Sequence, residues 1–534
     1  MTTGSTINNA IKRRPHSYGE VLSSFGEENM KTLSQLKRYM ECLQGDKKFR
    51  AASDTGDFTP DQRNYLKEVG VTFEPEELSF MWERPEAMNE IYQQMGEVDD
   101  YEELSEEAHA LLSQAPLLEI WIRFRMVRGA MNKKHAKAIS NIDFGDPRYN
   151  AWRNRRINST RSELGNYGYQ IDHPSLAIET QVGCSVGCGF CAFDAPKLTE
   201  VFDYNASGNK DYFEGIATVL TKMMGPVGAS HALLYWSTEP NDNPNYINFM
   251  KSYQKVTGYS VCTATARSDE KWVRDLISYY RQFPAPWPRI SVLSKKIMQK
   301  LHRQFTPEEF RDVALLMQQS DADVFREKVP GGRTKMMEKL KTVTDFRDVD
   351  ENDPAVNVLK VVQGSIACVS GFLINIITKK VMLSSPCFTS ETHRYGYRVF
   401  AEDTFDTPED LERVMRNMVE RCMPLSPYPE MPMRFRDDFS YRANDDGFVL
   451  VSPNQIHRFN DNPQLWKPLG ELLNGGATTF EKLINALVYD HGVNQMVALS
   501  AVRNLFNEAF LDELDLDTTA VNVLPSKSPQ AMSA

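Results

Sequence analysis

The pattern of hydrophobic and polar positions divides the chain into three regions. In the first region, residues 1–172, the strongest signals are helix starts. Thr59 is a capping residue with Pro60 at the first helical position, and Pro85 opens another such stretch. The sequence therefore predicts a helical N-terminal region.

The second region, residues 173–405, alternates short apolar or β-branched runs with helix-like stretches. This alternation is typical of βα units around a parallel sheet. The candidate strands are 176–181, 232–236, 259–265, 289–294, 358–362 and 366–369. The helix-like stretches are 212–224, 246–257, 269–283 and one opened by the capping box Thr306-Pro307-Glu308-Glu309. The prediction is an α/β fold built as a partial or complete (β/α) barrel, with its chemistry at the carboxyl ends of the strands.

The third region follows a proline-rich stretch, and we expect residues 406–436 to be a linker. Short alternating runs then precede helix-like stretches. The runs are 439–441, 448–451 and 455–459, and the helix-like stretches are 466–473, 479–489 and 493–510. This order predicts a small winged-helix-like domain over residues 437–520. The polar tail, residues 521–534, has the composition of a disordered segment.

Composition and charge narrow the class of protein. A chain of 534 residues with 41% hydrophobic content can bury a large core, and its net charge of −11 argues against general nucleic-acid binding. The longest apolar run, 371–377, is too short to cross a bilayer, and the N-terminus lacks an apolar signal core. Clustered cysteines suit a reducing compartment. We expect a cytoplasmic protein that binds neither nucleic acid nor membrane.

The most informative motif is Cys184-Ser-Val-Gly-Cys188-Gly-Phe-Cys191. Three thiolates at this spacing can hold three irons of a cubane cluster and leave the fourth iron open, whereas a purely electron-carrying cluster takes four cysteines. A zinc site usually needs paired cysteines or a closing histidine, which this spacing does not offer. The motif, with Phe190 before its third cysteine, resembles the signature of the radical S-adenosylmethionine enzymes. The resemblance implies one 4Fe-4S cluster on the three cysteines, with S-adenosylmethionine as second cofactor beside Phe190.

The resemblance also suggests cofactor contacts at other strand ends. Ser237-Thr238-Glu239-Pro240 is similar to the family's Gly-Gly-Glu-Pro element, which binds the methionyl amino group, although both glycines are replaced here. Gly364, near a fifth predicted strand, would approach the adenine. Hydroxyl side chains on two further strands could bind the cofactor's ribose or carboxylate, or could form only local hydrogen bonds: Thr263, Thr265, Ser291 and Ser294.

Among the remaining cysteines, Cys387 differs from the others. It follows Pro386 at the end of an apolar run and precedes polar residues, so we expect a thiol presented on a turn. The other thiols are too scattered for a second cluster, and a buried, inert state is the simplest interpretation for Cys42, Cys262 and Cys368.

With these residues the resemblance narrows to the radical S-adenosylmethionine peptide epimerases of the proteusin type, which mature ribosomally made peptides. The matching pieces are 183–191, 291–294, 301–309, 364–372 and 385–387. They imply conversion of L-residues to D-residues in a precursor peptide, with Cys387 as hydrogen donor. The C-terminal region resembles a PqqD-like element that adds a leader-peptide strand to its sheet edge. A structural domain that binds no peptide is the alternative for that region.

The chemistry of inversion supports the same function. No side-chain base removes a Cα hydrogen at neutral pH, whereas a 5′-deoxyadenosyl radical can. Inversion then needs a hydrogen atom from the opposite face, which a thiol can deliver. The expected partners are the precursor peptide, leader and core, and a reducing electron donor such as flavodoxin or ferredoxin. Two alternatives stay open: another radical modification of a peptide, such as C–C or C–S bond formation, and a non-catalytic iron–sulfur scaffold that binds peptides.

Overall fold

The computed structural model describes residues 25–140, 143–165, 168, 171–283, 288–319, 321–323, 332–333, 367–476 and 478–513. It divides into two compact units. The first combines Met1–Ile142 with Glu239–Arg326, and the second combines Asp143–Thr238 with Glu327–Ala534. Three features of the sequence analysis lie outside the described residues: Gly364, the candidate strand 358–362 and the tail 521–534.

The α-helices of the described residues, in chain order, are α1 (Gly26–Gly45), α2 (Lys47–Thr55), α3 (Pro60–Glu68), α4 (Phe80–Glu83), α5 (Pro85–Glu97), α6 (Glu106–Leu112), α7 (Pro116–Ser140), α8 (Pro147–Leu164), α9 (Asn209–Ser230), α10 (Tyr246–Thr257), α11 (Glu270–Gln282), α12 (Lys295–Gln304), α13 (Pro307–Phe310), α14 (Pro408–Cys422), α15 (Pro463–Asn474), α16 (Phe480–Asn485) and α17 (Gln495–Asn507).

The β-strands of the described residues are β1 (Leu176–Glu179), β2 (Gln181–Val182), β3 (Glu200–Val201), β4 (Ala232–Leu233), β5 (Ala264–Thr265), β6 (Arg289–Val292), β7 (Ala314–Met317), β8 (Gly371–Asn375), β9 (Lys380–Pro386), β10 (Tyr397–Thr404), β11 (Pro432–Met433), β12 (Ser440–Asn444), β13 (Gly447–Val451), β14 (Ile456–Phe459) and β15 (Thr478–Thr479).

The first unit begins with helices, as the start signals predicted. The Thr59 hydroxyl accepts the backbone N–H of Gln62, the Gln62 side chain accepts the N–H of Thr59, and Pro60 occupies the first helical position of α3. Apolar side chains such as Leu36 and Leu118 form the core of this helical part. No helix of the described residues combines the length and the apolar character needed to cross a bilayer.

The remainder of the first unit holds a small parallel sheet in the order β5-β6-β7. Ala264 stands opposite Arg289, which stands opposite Ala314. The helices α10 and α11 agree with the predicted stretches 246–257 and 269–283. The capping box at Thr306 opens the single-turn helix α13, and β7, which the sequence analysis did not predict, follows it.

The second unit contains a five-stranded mixed sheet in the order β10-β9-β8-β1-β4. β1 is parallel to both neighbours, with Leu176 opposite Ala232 on β4 and Phe372 on β8. β9 and β10 extend the sheet in antiparallel register, which the βα pattern did not predict. Among the described residues no sheet closes on itself, and the partial barrel remains a prediction.

The helix α8 fixes the start of this sheet. The Tyr149 hydroxyl donates to the carbonyl oxygen of Ser370 at 2.7 Å, just before β8. The Arg153 guanidinium donates to the carbonyl oxygens of Asp172 at 3.2 Å and His173 at 3.3 Å, just before β1. Because both side chains are buried and bind backbone carbonyls, α8 holds the two parallel strands in register.

Residues 432–513 form a C-terminal subdomain of the second unit. Its antiparallel sheet, in the order β12-β13-β14, precedes α15, α16 and α17, so the predicted strands and helices are confirmed in order and position. The predicted linker, 406–436, contains α14, because Leu411, Met415 and Met418 give that stretch a buried apolar face.

The core of the C-terminal subdomain yields a prediction about stability. Phe448 is fully buried, and its ring lies 4.6 Å from that of Phe459 and 5.4 Å from that of Phe435. Phe448→Ala removes these contacts and leaves a cavity, so we expect a loss of about 3–5 kcal/mol in the free energy of unfolding of this subdomain. Hydrogen exchange of the β13 amides at increasing urea measures it. The control Tyr489→Ala, at a side chain 81% exposed, should change it by less than about 0.5 kcal/mol.

Candidate functional site

The three motif cysteines lie on one loop at the carboxyl end of β1. A short antiparallel ladder closes the loop, with Gln181 opposite Val201 and Val182 opposite Glu200. The backbone N–H of Cys184 donates to the carbonyl oxygen of Pro196 at 2.9 Å. The loop of residues 183–199, called the cysteine loop below, is therefore held at its base by backbone hydrogen bonds and leaves the sheet where the βα pattern predicted a catalytic loop.

Gly183 is required at the entry of the cysteine loop. Its φ is +85°, and a Cβ there would collide with the carbonyl oxygen of Lys197 on the opposite side of the loop. A side chain at this position would therefore separate the two sides of the loop base.

The three cysteines form no disulfide bond in the described residues, and all three are half-buried. The N–H of Cys191 donates to the carbonyl oxygen of Cys188 at 3.2 Å, and the N–H of Ala195 lies 3.4 Å from the Cys191 sulfur as a donor. In the part of the chain that the structure describes, no group of three or more His, Cys, Asp or Glu side chains is arranged to hold a metal ion. The structure thus places the three thiols on one loop, but their sulfur atoms do not point to one common position.

The donor set of the loop nevertheless fits an iron–sulfur cluster in its chemistry. Three thiols of one short loop supply the soft ligands that iron–sulfur clusters use, and a backbone N–H already donates to one sulfur. Phe190, which precedes the third cysteine, is half-buried on the same loop. Cys184, Cys188 and Cys191 are therefore the residues that would hold such a cluster.

The sequence analysis missed a carboxylate, on a half-buried residue, at the same end of the sheet. Glu179 ends β1 and accepts both the N–H and the hydroxyl of Ser237, at 2.8 and 2.9 Å, and the amide of Asn375 at 3.1 Å. Burial raises the pKa of Glu179, and the hydrogen bonds only partly oppose this. Ser237, which the sequence analysis predicted as a cofactor contact, is therefore hydrogen-bonded to Glu179, a residue that no sequence motif identified.

Glu239 and Thr265 come together in the first unit. The Glu239 carboxylate accepts the Thr265 hydroxyl and the N–H groups of Ala266, at 2.8 Å, and Asn241, at 3.0 Å. Burial raises the pKa of Glu239 while these donors oppose it. Pro240 opens the short turn after it. Thr238, which ends the first segment of the second unit, is half-buried.

The other predicted hydroxyls form local hydrogen bonds. Thr263 pairs with the Tyr246 hydroxyl at 2.7 Å, and the Ser294 hydroxyl caps α12 by accepting the N–H of Ile297 at 3.3 Å. Ser291 lies on β6 opposite Leu316. For Thr263 and Ser294, the local hydrogen bonding that the sequence analysis kept as an alternative is what the structure shows.

Cys387 is packed, and the prediction of a presented thiol is wrong. Its side chain has no exposed surface. Its backbone N–H donates to the carbonyl oxygen of Gly396 at 3.0 Å, which prolongs the β9–β10 ladder beyond Pro386. Burial raises the pKa of the Cys387 thiol well above its usual range, against the effect of Arg398. The thiol is therefore held protonated at neutral pH.

A buried charge network surrounds this thiol. Glu163 of α8 accepts the N–H of Phe388 at 2.9 Å and pairs with Arg398, which also lies 3.1 Å from Asp438. Arg436 forms two hydrogen bonds to Asp438, at 2.7 and 2.9 Å. Such a paired network fixes the segment after Cys387, since removal of one partner would leave a buried charge uncompensated.

An aromatic cluster joins the end of β9 to the cysteine loop. Tyr397 stands opposite Pro386 in the β9–β10 pair. Its ring lies 6.3 Å from the ring of Phe193, two residues after Cys191, and 6.2 Å from that of Trp236, while Phe193 and Trp236 are 4.6 Å apart. The structure thus brings the surroundings of Cys387 close to the loop that carries the motif.

A cavity of about 1050 Å³ lies in the first unit, and none of the predicted site residues lines it. Its wall includes Asp46, Tyr65, Lys295 and Arg303. The candidate chemistry therefore depends on the loops described above and not on the size of a cavity.

The fold and these loops define a mixed α/β protein with a cysteine-bearing loop after a parallel strand. No family model matches the chain, and no solved structure is significantly similar to it. It is 30% identical over 494 residues to the uncharacterized protein y4wI of Sinorhizobium fredii (strain NBRC 101917 / NGR234), with 92% of this chain and 89% of the relative covered. The chain belongs to the family of that protein.

The turn after Cys387 yields a prediction about pH. His393 is buried, and burial lowers its pKa from 6.5 to about 4, with Arg398 acting in the same direction and Asp437 and Asp438 opposing. Between these two pH values the unfolded chain binds a proton that the folded chain does not, so stability falls as the pH falls. His393→Asn should reduce the loss of unfolding free energy between neutral and acidic pH by up to about 3 kcal/mol.

Urea unfolding at a series of pH values from 7 down to 4 measures the effect. The matched control is His491→Asn, because that histidine is exposed. An unchanged pH profile in His393→Asn would show that the imidazole is not held in its neutral form.

Proposed function

We propose that this protein is a cytoplasmic radical S-adenosylmethionine peptide epimerase, which inverts L-residues to D-residues in a ribosomally made precursor peptide. One observation carries the proposal: the Cys-x3-Cys-x2-Cys loop stands at the carboxyl end of a parallel strand, and the aromatic cluster joins it to the strand end of Cys387. The single three-cysteine motif is the feature that links cluster chemistry to an open iron.

In this proposal Cys184, Cys188 and Cys191 hold three irons of one 4Fe-4S cluster. S-adenosylmethionine bound there would accept one electron from the external donor through the cluster and release methionine, which would supply a 5′-deoxyadenosyl radical able to take the hydrogen atom from Cα of the peptide residue as 5′-deoxyadenosine. Within the second unit, Glu179 is the candidate for contact with the cofactor's ammonium group, because it ends β1 and its carboxylate accepts hydrogen bonds from neutral donors.

Cys387 then returns a hydrogen atom to the opposite face of Cα. The S–H bond breaks, a C–H bond forms, and the sulfur is left with an unpaired electron. One electron from a low-potential donor of the flavodoxin or ferredoxin class and one proton from solvent restore the thiol. The raised pKa of Cys387 suits this role, since a hydrogen-atom donor must carry its hydrogen, unlike a nucleophilic thiolate.

The burial of Cys387 sets a requirement on the reaction. The peptide has to reach a thiol that has no exposed surface. The residues around the thiol therefore have to move when the precursor binds, and the burial keeps the thiol from solvent oxidants in the absence of peptide.

The C-terminal subdomain is the candidate for precursor recognition. Its sheet has β12 and β14 as edge strands, and an extended leader peptide can add a strand to such an edge. Main-chain hydrogen bonds would give affinity there, while the core peptide reaches the cysteine loop.

The experiment is the reaction of the anaerobically reconstituted enzyme with a precursor peptide in deuterated water. Because a thiol exchanges its hydrogen with solvent, each inversion should add one deuteron, a mass gain of about one unit. Cys387→Ala should still form 5′-deoxyadenosine, because radical formation depends on the motif cysteines, but should give no D-residues.

The control variant is Cys368→Ala, at a half-buried thiol of the same unit, which should epimerise normally. Normal epimerisation by Cys387→Ala would refute its role, and loss of epimerisation in Cys368→Ala would assign the role to that thiol. A product with a new C–C or C–S bond would contradict the proposed epimerisation and show that the enzyme carries out another peptide modification.

A further inference from the structure

The cysteine loop wraps around one side chain from a distant part of the chain. Arg333 donates through Nε to Asp194 at 2.7 Å, through Nη1 to the carbonyl oxygen of Cys188 at 3.3 Å, and through Nη2 to that of Ala195. Its backbone N–H donates to the carbonyl oxygen of Cys191 at 3.0 Å. Four separate groups of the loop thus bind one residue.

The neighbouring Gly332 makes this approach possible. Its φ is +49°, and a Cβ there would collide with the carbonyl oxygen of Ala192. The Gly332 N–H donates to the carbonyl oxygen of Arg394 at 2.9 Å, and Arg394 lies on the segment between β9 and β10 that begins with Cys387. The pair Gly332–Arg333 therefore binds both the cysteine loop and the segment that follows the candidate donor thiol.

The geometry of Arg333 suits a positioning role. A planar guanidinium offers five N–H donors in fixed directions, and hydrogen bonds that involve a charged partner contribute about 1.5–3 kcal/mol each. The carbonyl groups of Cys188 and Cys191 belong to two of the three motif residues, so these hydrogen bonds restrain the backbone that carries two of the sulfurs. A lysine could bind one or two of these acceptors but not the set.

We propose that Arg333 is the positioning residue of the cysteine loop: it orients the motif cysteines for a cluster and places a positive charge beside it. The proposal deepens the proposed function and rests on it for the role of the cluster. The contacts themselves are made without any cluster, so the loop should depend on Arg333 in the cluster-free protein too.

The first test uses the cluster-free full-length protein. Arg333→Gln should make the amides of residues 184–197 exchange with deuterated water about fivefold to tenfold faster, because it loses the bonds to Asp194 and to two carbonyl groups. In Arg333→Lys the same amides should exchange nearly as fast as in Arg333→Gln. The matched control, Arg394→Gln, keeps the backbone carbonyl that Gly332 uses and changes only an exposed side chain, so it should exchange like the unaltered protein.

The second test uses the reconstituted protein and its reduction potential, measured by redox titration under electron paramagnetic resonance. Loss of a positive charge disfavours the reduced, more negative cluster, so Arg333→Gln should lower the potential. Asp194→Asn, which removes a negative charge from the same pair, should raise it. Arg333→Lys should leave it close to the unaltered value.

The outcomes separate this proposal from the function. Unchanged exchange of the loop amides in Arg333→Gln would overturn the positioning role, whatever the loop binds. Faster exchange in a protein that binds no iron would support the positioning of the loop and refute the proposed function. Potentials that shift in the same direction for Arg333→Gln and Asp194→Asn would overturn the electrostatic part.

Discussion

The parallel pairing of β1 with β4 and β8 is the constraint on which the candidate site of the second unit depends. It aligns the carboxyl ends of the strands, so Glu179 meets Asn375 of β8 and Ser237 after β4. The cysteine loop leaves the sheet at this edge. α8 maintains the register from the opposite end, since its Tyr149 binds the backbone just before β8. Backbone geometry, rather than any single motif, thus brings separate stretches of sequence together.

Local signals predicted much of the fold. The capping box at Thr59, the stretch 246–257 and the strands β12, β13 and β14 lie where the pattern placed them, because caps and alternation act over a few residues. The antiparallel strands β9 and β10 were not predicted, since an apolar run carries no information about its partner. The same limit explains Cys387: a proline and polar neighbours suggested a turn, but the ladder beyond Pro386 and the charges of α8 bury the thiol.

The candidate site shows which parts of a site a sequence can reveal. Cysteine spacing is local, so the sequence alone predicted the cysteine loop. Glu179 and Arg333 were missed, because each gains its meaning from a partner distant in the chain: Asn375 in one case, Cys188 in the other. A carboxylate at a strand end is the signal that could have marked Glu179. No local pattern distinguishes Arg333 from other arginines.

The central claim is that the cysteine loop holds a cluster with one open iron. Electron paramagnetic resonance of the reconstituted, reduced protein tests it most directly, with and without S-adenosylmethionine. The account predicts a cluster signal whose g-values change when S-adenosylmethionine is added, because the ligand occupies the open iron. It also predicts loss of the signal in Cys188→Ala. A cluster signal that ignores S-adenosylmethionine, or one that persists without Cys188, would contradict the account.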